Sequence, residues 1–367
     1  MKSIIFKPAS LILALVIISS CKPREEKITE VEYPRPKNII FLIGDGMGIS
    51  HMYAGMTRNH GTLYLEKCTH VGLQKTYSSN SYITDSAASG TAMSSGKKTK
   101  NGMIGMDPDS ISIKTILEYS EDNGLATGLI ATSSITHATP ASFISHQVSR
   151  NMYEAIASDF LKTDIDLFIG GGSDHFMKRK DSVDLTQELK NKGYQVLFTL
   201  EDILNVEEGK LAGFTAPVHN PPYKEGRGDM LPNATEKAIT LLEKNTAGFF
   251  LMVEGSQIDW AAHANDQEKI IDEMLDFDRA IKIALTFAEN NGETLVVITA
   301  DHETGGMGLN GGSIEEGTVN AAFTTGGHTG VMVPVYAYGP GAEKFTGIYE
   351  NTAIFEKFME LFGFARE

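Results

Sequence analysis

Beyond residue 38 the chain alternates between two hydrophobic rhythms. Short, nearly continuous apolar runs occur at 38–43, 126–131, 166–169, 248–253, 294–299 and 331–338. A run of that length bounded by glycine or polar residues suits a strand buried on both faces. Between the runs, 112–123, 152–161, 185–192, 233–243, 266–290 and 352–362 repeat their apolar residues every three or four positions, which predicts amphipathic helices. Alternating strands and helices predict an α/β fold: a three-layer sandwich with a central, mostly parallel β-sheet flanked by helices. Residues 209–232 are rich in Gly and Pro and read as a long surface loop. Nothing after residue 38 looks like an interdomain linker, so 38–367 is read as one domain.

The beginning of the chain has a different pattern. Lys2 and Lys7 precede an apolar stretch at 11–18, too short for a membrane-spanning helix of about 20 residues. Ser19-Ser20-Cys21 follows, and small residues before a Cys at this place resemble a bacterial lipobox. The expectation is a lipoprotein-type signal peptide over 1–20 and a lipidated N-terminus at Cys21. Residues 21–37 are polar with three prolines and read as a tether. The expected location is the cell envelope, in the periplasm, with membrane contact only through the lipid anchor at Cys21. An ordinary export signal with an incidental cysteine is the alternative. Lipidation of Cys21 would leave Cys68 without a partner, so no intrachain disulfide is expected.

Charge redirects the search for function. The chain has 47 Asp and Glu against 32 Lys and Arg, a formal net charge of −15. That balance argues against specific nucleic-acid binding, which depends on cationic side chains neutralising phosphates. With 41% hydrophobic residues a large core can form, which argues against disorder. What matters is where the carboxylates sit.

In open α/β sheets ligands bind beyond the carboxyl ends of the strands, and the chemically able residues cluster there. Asp45 follows the first run in Gly44-Asp45-Gly46-Met47-Gly48, whose spacing is not a dinucleotide fingerprint. Glu254 ends the run at 248–253. Asp259 and His263, spaced i and i+4, share one helix face and make a divalent-metal half-site. Asp301 and His302 end another run; the chain must bend there for both to bind one ion, and Gly305-Gly306 permits it. His328 stands among glycines in Gly326-Gly327-His328-Thr329-Gly330. Ser86 begins a run of small residues and is either a nucleophile at a helix N-terminus or an ordinary N-cap.

Six segments, taken together and in order, resemble the alkaline phosphatase family: Gly44 to Gly48, Asp85-Ser86-Ala87-Ala88-Ser89-Gly90-Thr91, Val253-Glu254-Gly255, Asp259 with His263, Asp301-His302, and Gly327 to Gly330. The resemblance implies hydrolysis of small phosphate monoesters through a phosphoserine at Ser86, with retention at phosphorus. It implies one zinc on Asp259, His263 and His328, and a second on Asp45, Asp301 and His302 beside Ser86. A third ion, usually magnesium, would share Asp45 with Glu254 and Thr139. Arg150 matches the family's phosphate-clamping arginine. His137, beside the third site, and Trp260, beside the phosphate, depart from enteric bacterial members, which carry Asp and Lys there; animal relatives have His at both. An imidazole in place of a carboxylate should weaken magnesium and admit zinc. A homodimer is the family habit, but only 26 positions separate His302 from His328, leaving little room for the insertions that often build the interface. Two rival readings are a phosphodiesterase of the same superfamily and a non-catalytic solute-binding lipoprotein. Ser86 with Arg150 favours the monoesterase over the first, and the metal-ligand set argues against the second.

Overall fold

Ile39, Phe41 and Ile43 pack on one side of the first strand, Ile40 and Leu42 on the other, and all five are fully buried. That alternation inside a continuous apolar run reflects the two-residue period of a strand covered on both faces. The computed structural model describes residues 34–366; the leader, Cys21 and the tether as far as residue 33 lie outside the described residues.

The strands are β1 (Asn38–Gly44), β2 (His70–Lys75), β3 (Ala126–Ser134), β4 (Leu167–Gly171), β5 (Gln195–Leu197), β6 (Leu211–Ala216), β7 (Phe249–Gly255), β8 (Thr294–Thr299), β9 (Glu303–Thr304), β10 (Met307–Ser313), β11 (Thr318–Phe323), β12 (His328–Thr329), β13 (Val333–Tyr338) and β14 (Gly347–Glu350). Ten of them form one sheet in the order β14-β2-β13-β8-β1-β7-β3-β4-β6-β5. Within it β13 runs antiparallel to both neighbours and the other pairings are parallel. Helices Ile116–Asp122, Tyr153–Asp159 and Thr352–Phe362 contribute to one apolar layer, Met230–Leu242 and Gln267–Asn291 to the other. The sandwich is therefore the one the periodicity predicts. Fully burying a side chain such as Phe41 or Ile40 contributes about 1.5–3 kcal/mol.

Differences from the sequence reading fall where burial is one-sided or local caps decide. The segment 209–232 is not a continuous loop. It contains β6, whose first four residues are buried, and the helix Met230–Leu242 starts inside it. The predicted helix at 112–123 begins only at Ile116. There Thr115 Oγ1 accepts from the Glu118 N–H, and the Glu118 carboxylate accepts from the Thr115 N–H at 2.8 Å, a capping box that sets the start. β2 and the β10–β11 hairpin were not foreseen, because they are half-exposed and carry polar or glycine residues at many positions.

Candidate metal centre

The adjacent strands β8, β1, β7 and β3 deliver their carboxyl ends to one place, and the candidate residues meet there. The helix Ser86–Ser95 enters the same region with all ten residues buried. Its small residues have a packing cause: a Cβ on Gly90 would stand 2.9 Å from Ser142 Oγ. Asp85, not Ser86, is the N-cap, accepting from the Ala88 N–H at 3.0 Å. Ser86 thus occupies the first helical position with its hydroxyl uncommitted to capping, 3.3 Å from His302 Nε2.

His263 and His328 are turned toward each other in a way that calls for a cation. Nδ1 of His263 donates to the Gly326 carbonyl at 2.7 Å, and Nδ1 of His328 to the Thr84 carbonyl at 2.8 Å. A carbonyl can only accept, so in the neutral rings both Nε2 atoms are lone pairs, and they lie 3.2 Å apart. Two imidazoles on one tetrahedral zinc at ~2.0–2.1 Å would have nearly that separation. Asp259 completes the group, 3.4 Å from His263 Nε2 and 3.6 Å from His328 Nε2. The hydrogen bond that His263 donates to the Asp259 carboxylate pushes the imidazole up to about 9. Burial raises Asp259, but the His263 hydrogen bond and the surrounding histidines hold it below the ordinary carboxylate range.

Asp45, Asp301 and His302 form a second group, with His302 Nε2 3.4 Å from Asp45 Oδ1 and 3.2 Å from Asp301 Oδ2. The chain does bend after β8, and the Gly46 N–H donates to Asp301 Oδ1 at 3.1 Å. Asp45, His137 and Glu254 make a third group, also able to converge on one ion. Both oxygens of Asp45, Asp301 Oδ2, Glu254 Oε1 and Thr139 Oγ1 are buried with no hydrogen-bond partner. Leaving buried charge unpaired costs several kcal/mol, so this set of open oxygens fits divalent cations. Burial, then the neighbouring carboxylates Asp301, Asp259 and Glu254, push Asp45 well above its usual range. Burial pushes Glu254 up to about 7.

Arg150 reaches the same space. Its guanidinium donates to Asp85 Oδ2 and to His137 Nε2, each at 3.2 Å. Burial, then the Arg150 and His219 charges, push His137 down to about 3. Trp260 packs edge-on against His137 and His219, with ring centroids 5.8 and 4.8 Å away. Three contributors were missed in the sequence. Asp85 could have been found as an acid at a helix start. Thr304, whose hydroxyl donates to Asp259 Oδ1 at 2.5 Å and lies 3.2 Å from His302 Nδ1, and His219 have no sequence signal.

The alkaline phosphatase family description matches residues 36–322 and 315–363. Alkaline phosphatase 3 of Bacillus subtilis (strain 168) is 38% identical over 404 residues, spanning 87% of this chain and 87% of that protein. Alkaline phosphatase of Escherichia coli (strain K12) is 32% identical over 397 residues, spanning 87% and 84%. The solved alkaline phosphatase from the Antarctic bacterium TAB5 superposes with a TM-score of 0.86 at 42% identity, covering 91% of this chain and 100% of that one. Cation-demanding carboxylates and imidazoles at the strand ends, and similarity over nearly the whole described chain, make this protein a member of the alkaline phosphatase family, an enzyme of the phosphatase type.

Proposed function

We propose that the chain hydrolyses small phosphate monoesters to alcohol and inorganic phosphate through a covalent phosphoserine at Ser86, using two zinc ions and a third ion. The facing Nε2 atoms of His263 and His328, 3.2 Å apart with both Nδ1 positions occupied, carry this reading. Asp259, His263 and His328 would hold one zinc. Asp45, Asp301 and His302 would hold the other beside Ser86. The third ion would be held by Asp45, Glu254 and the Thr139 hydroxyl, with His137 alongside. His137 in place of an acid favours zinc as a competitor of magnesium there. Two TAB5 variants with one histidine changed to Asp or Glu are described with Mg bound in the M3 site, which supports a histidine influencing that position.

Bound divalent cations supply Lewis acidity, which lowers the pKa of a neighbouring hydroxyl and neutralises phosphoryl charge. Ser86 Oγ attacks phosphorus in line as the ester's alkoxy group leaves on the opposite side. Water then attacks the phosphoserine and frees the hydroxyl. Two inversions give net retention. Arg150 takes two phosphoryl oxygens with its planar fork, which Lys cannot match. The Asp85 carboxylate and His137 hold that fork in place.

The test compares wild type with Ser86→Ala on a generic aryl phosphomonoester and its diester, with chelator and with zinc and magnesium restored. The expected wild-type result is monoester turnover, lost on chelation and regained with metal, with little diester turnover. Ser86→Ala should lose at least ~10³-fold in kcat and take up no phosphoryl group by mass spectrometry. Full activity in that variant would overturn the mechanism, and faster diester turnover would favour the phosphodiesterase reading. Export with lipidation at Cys21 belongs to the same proposal and rests on the leader's pattern. A lipid-modified N-terminal peptide beginning at Cys21 supports it; an unprocessed leader in the producing cell refutes it.

A further inference from the structure

Glu303 closes the Asp301-His302-Glu303 run, yet it belongs to none of the candidate ligand groups. It is 6% exposed. Both carboxylate oxygens are occupied by donors, unlike those of Asp45. Oε1 accepts from the Met307 N–H at 3.2 Å, and Oε2 accepts from the Gly306 N–H at 3.3 Å and from the Thr329 hydroxyl. A fifth metal-ligating acid would need an oxygen left open, so Glu303 is bound into the protein itself.

Its stem is pinned from another side. A Cβ built on Gly48 would come within 2.4 Å of Glu303 Cγ, so the last glycine of the Asp45 loop makes room for this side chain. Three ligand-bearing segments therefore meet around it. The Thr304 N–H donates to the Gly46 carbonyl at 3.1 Å, and the Gly305 N–H to the Gly327 carbonyl at 2.9 Å. β9 pairs with β12 so that Glu303 faces Thr329 and Thr304 faces His328. Each of these strands has two residues, and so short a ladder is marginal on its own. The Glu303 carboxylate adds side-chain bonds across and beside it.

We propose that Glu303 is a positioning residue for the Asp259/His263/His328 cation site: by tying Thr329 and the Gly306–Met307 turn to the Gly48 loop, it holds His328 opposite His263 and sets the cation affinity there without touching the ion. This inference rests on the metal assignment proposed above. Partners that hydrogen-bond a ligand directly are worth about 10–100-fold in metal affinity; Glu303 acts one residue further out, through Thr329, so the low end of that range is expected.

The experiment strips full-length wild type, Glu303→Gln and Thr329→Val of metal and titrates zinc back against a chromophoric chelator, counting sites per chain. Melting of the metal-free proteins is followed in parallel. The expected result is one tight zinc site weakened about tenfold in both variants, the remaining sites as in wild type, and activity regained with excess zinc. Thr329→Val carries the test if Glu303→Gln does not fold. Wild-type affinities at every site in the variants would overturn the inference and leave the metal assignment standing. A uniform loss at all sites, tracking a lower melting temperature of the metal-free variants, would overturn it too, marking Glu303 as a general fold residue. Absence of tight zinc binding in wild type would overturn the metal assignment itself.

Discussion

Trp260 and His137 pack together at the candidate metal centre. Trp260 packs against His137 and His219, and His137 accepts from Arg150, the arginine proposed to clamp phosphate. An indole has one N–H and no charge, so it cannot hold phosphate as an ammonium would. Trp260→Lys is expected to lower the inhibition constant for inorganic phosphate about tenfold, the worth of one charge-assisted hydrogen bond of ~1.5 kcal/mol. Competitive inhibition of monoester turnover measures it, and an unchanged constant would leave Trp260 with a packing role. The types and order of Asp45, Asp259, His263, Asp301, His302 and His328 were legible because their motifs are contiguous. The partners of Arg150 were not: Asp85 lies 65 positions away, and nothing local announces the contact.

Asp85 links a residue to an element, because the same carboxylate caps the helix Ser86–Ser95 and holds Arg150. Oδ1 accepts from the Ala88 N–H, while Oδ2 accepts from the Gly102 N–H at 2.9 Å and from Arg150. Asp85→Ala removes both functions. It should cost about 1 kcal/mol in stability for the lost cap and weaken phosphate binding. Asp85→Asn keeps an oxygen for the cap and removes the charge facing Arg150. Its melting temperature should fall less, while its phosphate affinity still drops. Paired thermal melts and phosphate titrations decide this; wild-type phosphate affinity in Asp85→Asn would mean that Arg150 is held by other contacts. At this scale the sequence was a good guide wherever an element is buried on both faces. β1, β7 and β8 emerge with nearly the bounds their apolar runs predict. β6 was hidden because the glycine- and proline-rich stretch around it has the composition of a loop.

For the whole molecule, the net charge of −15 and the phosphate chemistry are reconciled by where part of the acidity sits. Asp45, Glu254, Asp259 and Asp301 are buried at one point, where divalent cations, once bound, would invert the sign of the local field. Elsewhere a buried acid has a different consequence. Burial pushes Glu121, which accepts from the Asp164 N–H and the Thr127 hydroxyl near the start of β3, from its ordinary 4.5 up to about 7. Between those two values the folded chain keeps a proton that the unfolded chain has released. The stabilisation is therefore complete below pH ~4.5 and is lost as pH rises through about 7. Glu121→Gln removes that titration and should flatten the fall of melting temperature between about pH 4.5 and 7. An unchanged slope would assign the pH dependence to other groups.

The sequence by itself determined the layers and the chemistry: which runs are buried on two faces, which helices are amphipathic, and which acids and imidazoles stand at strand ends. Those properties belong to neighbouring residues and show in local periodicity and spacing. Only the tertiary structure decided who meets whom. The order β8-β1-β7-β3 brings Asp301, Asp45, Glu254 and the His137 segment to one point. The same packing seats Glu303 between Gly48 and Thr329 and brings the Nε2 atoms of His263 and His328 to 3.2 Å from each other. Strand order is set by how both faces of the sheet are covered, a property of the assembled core that no single segment carries.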